Sequence, residues 1–214
     1  MDEEITIIDS NTRNEKIKNF FINNMKSIIV GFSIILIIII GYLSIKEMKE
    51  RNKLKLANQF NIISINFKKE DKQTTIDQLT NLIGENDATY SPLALYFLID
   101  NNLTNDNNEI NGLFDEVINK TKLDKEVKNL IIYKKALFNS DSSSENDLLK
   151  ILNPIINSES VWKSHSLYLI AEYFYSKNQK EKAKEFFNQI LQLPNANKDI
   201  KIESQKRLNR DLGE

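Results

Sequence analysis

The chain has 214 residues, no cysteine, 29 basic and 30 acidic residues, and a formal net charge of −1 at neutral pH. The lack of cysteine excludes disulfides and a lipid anchor attached to a cysteine. Four of the basic and five of the acidic residues precede Lys46, so 25 of each lie from Lys46 onward. This balance argues against a nucleic-acid-binding protein, which would carry a basic face.

The first predicted element is a membrane span over residues 27–45, from Ser27 to Ile45. It has 19 residues without a charge, and 13 of them are Ile, Leu, Val or Phe. A helix of this length spans about 28 Å, close to the ~30 Å hydrocarbon core of a bilayer. We predict a retained signal anchor. The alternatives are a buried core helix, which would need a polar face, and a cleaved signal peptide, which would need small residues after the apolar run.

Charge alone does not orient this span. The positive-inside rule compares the Lys and Arg residues on the two sides of a span, and the two sides here are nearly equal. The basic residues close to the span are Arg13, Lys16, Lys18 and Lys26 before it, and Lys46, Lys49, Arg51, Lys53 and Lys55 after it.

The remainder of the chain is predicted to be helical. Gly and Pro are scarce, with five and three residues, and strict apolar alternation over the length of a strand is hard to find. Leu56 and Ile63 lie in a helical pattern that predicts a stalk over residues 46–68. A second helix is expected to end at Gly84 as its C-cap. Ser91 is expected to be the N-cap of the next helix, with Pro92 at its first position.

Three further apolar stripes predict helices over residues 110–118, 123–137 and 148–156. Asp124 is expected to cap the second of these helices, and Pro154 is expected to interrupt or kink the third. A polar linker occupies residues 140–144. Short helices of this kind bury their apolar faces by packing in pairs. We therefore predict an all-α protein in which residues 69–214 form a small helical-repeat solenoid of about four helix pairs.

Residues 164–197 resemble a tetratricopeptide repeat, which is a 34-residue helix-turn-helix. Small residues at two positions allow the helices to approach closely, and large residues fill the space between neighbouring pairs. A proline then ends the second helix. Ile190 stands where a small residue is usual, and an arbitrary helical hairpin remains the alternative. The residues that carry the resemblance are Leu167, Ala171, Phe174, Ala183, Phe187 and Pro194.

The order of segments along the whole chain resembles the YfgM family, the ancillary subunits of the bacterial SecYEG translocon. The resemblance implies a cytoplasmic tail over residues 1–26, a domain in the periplasm, and association with translocon subunits and a membrane-anchored periplasmic chaperone. The segments that carry it are the acidic Asp2, Glu3 and Glu4, a basic amphipathic run over 14–21, Lys26, Val30-Gly31 in the span, Ser91 to Leu95, Trp162, and Lys180 to Ala183.

Candidate catalytic chemistry is sparse. His165 lies between Ser164 and Ser166, but adjacent residues on a helix point in different directions. Residues 100–109 contain calcium-ligand residue types without the glycine turn and terminal glutamate of an EF-hand. We therefore predict no enzymatic activity, no cofactor, no metal site, and no small-molecule or nucleic-acid partner.

Aromatic residues are concentrated near the terminal repeat. Core packing is their usual role, and Trp162, Tyr168 and Tyr175 are the candidates for contact with a protein partner. The sequence favours a membrane-anchored interaction module. The resemblance to the YfgM family implies that it lies at the bacterial inner membrane and binds secreted polypeptides or a periplasmic chaperone. The alternatives are a self-associating envelope scaffold and an adaptor that faces the cytoplasm.

Overall fold

The structure is a computed structural model that describes residues 2–69 and 71–213, with side chains from residue 13 onward. These described residues form nine α-helices and no strand, which confirms the all-helical prediction. The helices are α1 (Asp2–Asn66), α2 (Lys72–Gly84), α3 (Tyr90–Asp100), α4 (Asn107–Lys120), α5 (Lys125–Asn139), α6 (Glu145–Ile156), α7 (Lys163–Ser176), α8 (Lys180–Gln192) and α9 (Lys198–Asp211).

The chain divides into two compact units, Met1–Lys55 and Leu56–Glu214. The first unit consists of the greater part of α1. Among the described residues, α1 is the one helix that is long and apolar enough to cross a membrane, and none of its most apolar segment is buried. Apolar side chains throughout residues 27–45 therefore remain uncovered by protein in the described structure.

The second unit contains two hydrophobic cores. The first core joins Leu56 and Ile63, at the end of α1, to buried residues of α2, α3 and α4. The sequence assigns these two residues to a stalk over residues 46–68, and the structure places both of them in this core. The second core is built from α5 to α9. From α4 onward each helix contacts its neighbours along the chain, most extensively in the α7–α8 pair, and α5–α7 and α7–α9 are also in contact.

Asparagine supplies the left-handed residue that ends three of the helices. Asn86, Asn102 and Asn178 have φ values of 54°, 50° and 60°. At Asn178 the backbone N–H donates to the Tyr175 carbonyl at 3.0 Å, and the next N–H, of Gln179, donates to Phe174 at 2.9 Å. These two bonds form a Schellman motif, which satisfies carbonyl groups left free at a helix end.

The expected C-cap at Gly84 is wrong. Gly84 is the last residue of α2, the cap is Glu85, and the left-handed position falls to Asn86. Asparagine tolerates this conformation because its short polar side chain can hydrogen-bond locally. The side-chain nitrogen of Asn86 donates to the Gly84 carbonyl at 2.7 Å.

The expected N-cap at Ser91 is also wrong, because α3 begins at Tyr90, and Pro92 is therefore the third residue of the helix and not the first. Asp87 takes the capping role, since its Oδ1 accepts from the N–H groups of Thr89 and Tyr90 at 2.8 and 2.9 Å. Ser91 is fully buried, and its hydroxyl donates to the Leu82 carbonyl of α2 at 3.2 Å. This hydroxyl, at the start of α3, therefore provides a hydrogen-bond donor for a backbone carbonyl near the end of α2.

Two further expectations concern α5 and α6. Asp124 is the N-cap residue of α5, but its side chain makes no capping hydrogen bond. Pro154 lies inside α6, which continues for two more residues to Ile156. Proline removes one backbone hydrogen bond in a helix interior, and its exposed position near the helix end limits that loss.

We predict that Asn178→Ala lowers the free energy of unfolding by about 1 kcal/mol, because a Cβ without a local polar partner is disfavoured in the left-handed region. Asn178→Gly should stay within about 0.5 kcal/mol of the wild type. Urea unfolding followed by circular dichroism measures both values. Asn188→Ala, at an exposed position within α8, is the matched control and should be neutral. An equal effect of the two alanine variants would contradict the assignment.

Candidate partner-binding face

The three candidate contact residues lie on one face of α7 and its N-cap, and two further residues share that face. They recur at intervals of three or four residues, which places them on the same side of the helix. All of them are half-buried, while the opposite side of α7 is buried in the second core. We call this set the α7 stripe. Its members are Trp162, His165, Tyr168, Glu172 and Tyr175.

The N-terminal end of the α7 stripe is an aromatic cluster. Trp162 stacks on Tyr133 of α5, with ring centroids 5.8 Å apart and an interplanar angle of 20°. The His165 ring lies 5.2 Å from Trp162 and 6.1 Å from Tyr133. The Nδ1 atom of His165 is buried without a hydrogen-bond partner in the described structure. Burial has the largest effect on the pKa of His165 and lowers it, outweighing the Val161 backbone, which raises it. This imidazole is therefore neutral at physiological pH.

A polar tether fixes the loop that leads into the α7 stripe. The carboxylate of Glu126 in α5 accepts hydrogen bonds from the Ser160 hydroxyl at 2.7 Å and from the Val161 N–H at 3.2 Å. Asn129, which is buried, donates to the Ser160 oxygen at 3.0 Å. The same oxygen accepts from the Trp162 N–H at 3.2 Å. Because these bonds hold the backbone on both sides of it, Val161 is presented at a fixed position with 66% of its surface exposed.

The C-terminal end of the α7 stripe is an ionic cluster with α9. The Arg207 guanidinium lies 4.3 Å from the centre of the Tyr175 ring. Its Nε and Nη2 atoms donate to the two oxygens of Glu172, each at 2.6 Å, in the bidentate geometry that suits arginine. Asp211 also accepts from Arg207. Hydrogen bonds from Arg210 and Arg207 lower the pKa of Asp211 to about 2.

Tyr168 lies between the two clusters of the stripe. Its ring is 5.4 Å from Phe187 of α8. Burial and the charge of Glu172 raise the pKa of Tyr168 to about 12. Its phenol therefore stays protonated and remains a hydrogen-bond donor at physiological pH.

The three residues predicted to contact a partner, Trp162, Tyr168 and Tyr175, are thus brought to one side of α7. Each of them already packs against a residue of its own chain. The exposed apolar side chain at this site is Val161, which the sequence reasoning missed. It also missed Glu126. This residue lies 35 positions before Val161, so no local sequence pattern connects the two.

The repeat-signature residues lie in the α7–α8 hairpin. Leu167, Ala171 and Phe174 are buried on α7, and Ala183 and Phe187 are buried on α8. Phe174 also stacks on Phe186, with centroids 5.5 Å apart. Pro194 follows α8 directly after its capping residue, Leu193. The five buried residues fill the space between α7 and its neighbours in the second core, whereas Pro194 is exposed.

Comparisons of this chain with protein families, with curated proteins and with solved structures find no match.

A separate polar groove lies between α4, α5 and α6 and encloses about 710 Å³. At this groove Asn111 and Asn139 exchange two side-chain hydrogen bonds of 2.9 and 2.8 Å. Beside them, Lys135 donates to Asp115 at 2.7 Å. The two Asn amides also donate to backbone carbonyls, so all four of their N–H hydrogens are in use. The amide pair therefore links α4 to α5 and retains acceptor capacity only.

Within the described residues, no group of three or more His, Asp or Glu side chains is arranged to hold a metal ion. His165, the single histidine of the chain, packs against aromatic rings.

We predict that Ser160→Ala loosens the tether and lowers the free energy of unfolding by about 1–2 kcal/mol, because the buried Asn129 amide loses its acceptor. Trp162 is the only tryptophan, so tryptophan fluorescence, excited selectively over that of the seven tyrosines, reports on this site alone. Its emission should shift to longer wavelength and become easier to quench with iodide. Ser142→Ala, in the exposed linker, is the control. Unchanged fluorescence of the Ser160 variant would show that the tether does not position Trp162.

The lowered pKa of His165 gives a pH dependence of stability. Below the unfolded pKa of about 6.5, the unfolded chain binds a proton more readily than the folded chain, so the free energy of unfolding falls as pH decreases. His165→Phe keeps an aromatic ring at this position and removes the group that binds the proton. The stability difference between variant and wild type should therefore shift in favour of the variant between about pH 7.5 and about pH 5.5. Parallel unfolding profiles over this range would contradict the prediction.

Proposed function

We propose that this protein is a single-pass membrane-anchored interaction module. One observation carries the proposal: the apolar side chains of residues 27–45 are exposed in the described structure. Exposure of so many contiguous large apolar side chains to water is unfavourable. A lipid bilayer covers such a segment and leaves its helical backbone hydrogen bonds intact.

A tetratricopeptide-like solenoid is the proposed architecture of the second unit. Hydrogen bonds between successive helix pairs support it, because they join residues separated by about one 34-residue repeat. The Ser160–Glu126 bond spans 34 residues, the Asn197–Ser164 bond spans 33, and the Arg207–Glu172 pair spans 35. The polar outer side of α9 supports a role as the capping helix that such arrays need.

The proposed partner is a protein that contacts Val161 and the α7 stripe. Val161 offers an apolar contact, and the surrounding side chains are already held by stacking and ion pairing. Fixed side chains lose little conformational entropy when a partner binds. Attachment to the membrane raises the effective concentration of the module near other membrane-associated proteins.

The resemblance to the YfgM family supports the finer part of the proposal. It favours a bacterial inner-membrane location with the N-terminus in the cytoplasm and the second unit in the periplasm. In this location the partners would be translocon subunits, emerging polypeptides or a membrane-anchored chaperone.

A self-associating scaffold is the second candidate, and a specific observation favours it. Ile62 and Ile65, at the end of α1, are 58% and 71% exposed. They mark an uncovered apolar surface at the N-terminal end of the second unit, whereas α9 at the other end is mostly polar on its exposed side. A second copy of the chain would cover such a surface.

Protease accessibility tests the proposed orientation. In cells with the outer membrane opened and the inner membrane intact, protease should digest the second unit and leave a short fragment that contains residues 1–45. A protected second unit would contradict the periplasmic orientation and support the cytoplasmic adaptor. Carbonate extraction of the same membranes tests anchoring separately, since an anchored chain stays in the pellet.

Photocrosslinking then tests the proposed binding face in the same cells. A photoreactive amino acid in place of Val161 should crosslink to a translocon subunit or a chaperone. The matched control is the same substitution at Ile202, which is exposed on α9. Crosslinks between two copies of the chain from Ile62, with none to other proteins from Val161, would favour the scaffold.

A further inference from the structure

The segment over residues 13–26 has exposed apolar side chains before the span begins. Phe20 and Met25 are 60% and 59% exposed, and Ile17 and Phe21 are also exposed. The rings of Phe20 and Phe21 contact each other edge to face, with centroids 6.0 Å apart. Helical structure continues through this segment as part of α1. These side chains form an apolar surface outside the predicted span.

Helical geometry places this apolar surface on one side. At 3.6 residues per turn, Ile17, Phe20, Phe21 and Met25 fall within an arc of about 140°. The rest of the circumference carries Ile22, which is exposed, and otherwise polar side chains, which are Glu15, Lys16, Lys18, Asn19, Asn23 and Lys26. Residues 13–26 are therefore amphipathic, whereas the span that follows is apolar all round.

Between Ile17 and Met25, Asn24 is the one polar residue within the apolar arc, and Arg13 and Asn14 lie on the same side in the turn before Ile17. Its side-chain nitrogen donates to the Phe20 carbonyl at 2.9 Å, within the same helix. An internal hydrogen bond lowers the cost of moving this amide out of water. The arc from Ile17 to Met25 is thus compatible with an apolar environment along its whole length.

The charge of the segment favours an anionic surface. Arg13, Lys16, Lys18 and Lys26 are opposed by Glu15 alone, which gives residues 13–26 a net charge of +3. Lysine side chains at the border of an apolar face can extend toward headgroups while their methylene groups cover apolar surface. A basic polar face beside an apolar arc with aromatic residues is the pattern of helices that lie in a membrane interface.

We propose that residues 13–26 lie in the headgroup region of an anionic membrane leaflet, with Ile17, Phe20, Phe21 and Met25 directed into the lipid. The inference rests on the proposed membrane anchoring of residues 27–45, with which this surface is continuous. A helix that continued along the membrane normal would hold Ile17 about 15 Å outside the hydrocarbon core. The segment therefore changes direction before Ser27 when the span is inserted.

The absence of cysteine makes the proposal directly testable on the full chain. Single-cysteine variants are labelled with a nitroxide and reconstituted into vesicles of phosphatidylcholine alone or with added phosphatidylglycerol. Ile17→Cys and Met25→Cys probe the apolar arc, and Asn19→Cys and Asn23→Cys probe the opposite side. Ile34→Cys, within the span, reports on anchoring. The ratio of oxygen to nickel-complex accessibility measures the depth of each label.

We expect a several-fold higher ratio at positions 17 and 25 than at positions 19 and 23, with a larger difference when phosphatidylglycerol is present. Equal ratios at the four positions, with a lipid-like ratio at position 34, would overturn the inference and leave the anchoring intact. A water-like ratio at position 34 would instead overturn the anchoring. A difference of the same size in both kinds of vesicle would overturn the preference for an anionic leaflet.

Discussion

The packing of α7 is the interaction on which the second core depends. This helix contacts α5, α6, α8 and α9, and eight of its 14 residues are buried. Ala171 on α7 and Ala183 on α8 are both fully buried, and a larger side chain at either position would force its neighbours to move. Because α7 is fixed from several sides, the side chains on its remaining face are held in place as well.

The surface left on α7 owes its order to contacts with distant parts of the chain. Glu126 of α5 tethers one end, and Arg207 of α9 ties down the other through Glu172. Both links are polar and only partly covered, so each contributes modestly to stability. Their main effect is geometric, since they define which side chains face solvent and which face the core.

Helical periodicity and apolar composition were readable from the sequence because both are local properties. The long apolar helical stretch over residues 27–45 and the helices that contain Ala171 and Ala183 belong to this class. Helix ends were less predictable. Ser91 has the residue type of an N-cap, but its hydroxyl is used by the carbonyl of Leu82 on the preceding helix, and this contact exists only after the two helices have packed.

The candidate site shows the same limit. Trp162, Tyr168 and Tyr175 could be chosen as aromatic residues at helical spacing, but nothing near Val161 in the sequence marks it as exposed. Its presentation depends on Glu126, which is 35 residues away. Likewise, Asn111 and Asn139 resemble many other asparagines in the chain, and their pairing follows from the way α4 and α5 pack.

The asparagine turns also bear on the chemical lifetime of the protein. Spontaneous deamidation begins when the backbone nitrogen of the following residue attacks the asparagine side-chain carbonyl. After Asn178 that nitrogen belongs to Gln179 and is bonded to Phe174, and after Asn102 it belongs to Leu103 and is bonded to Leu98 at 3.1 Å. The hydrogen bonds that end these two helices thus also hold the attacking nitrogen atoms in place. A chain rich in asparagine can therefore have this residue in its turns and still resist deamidation there.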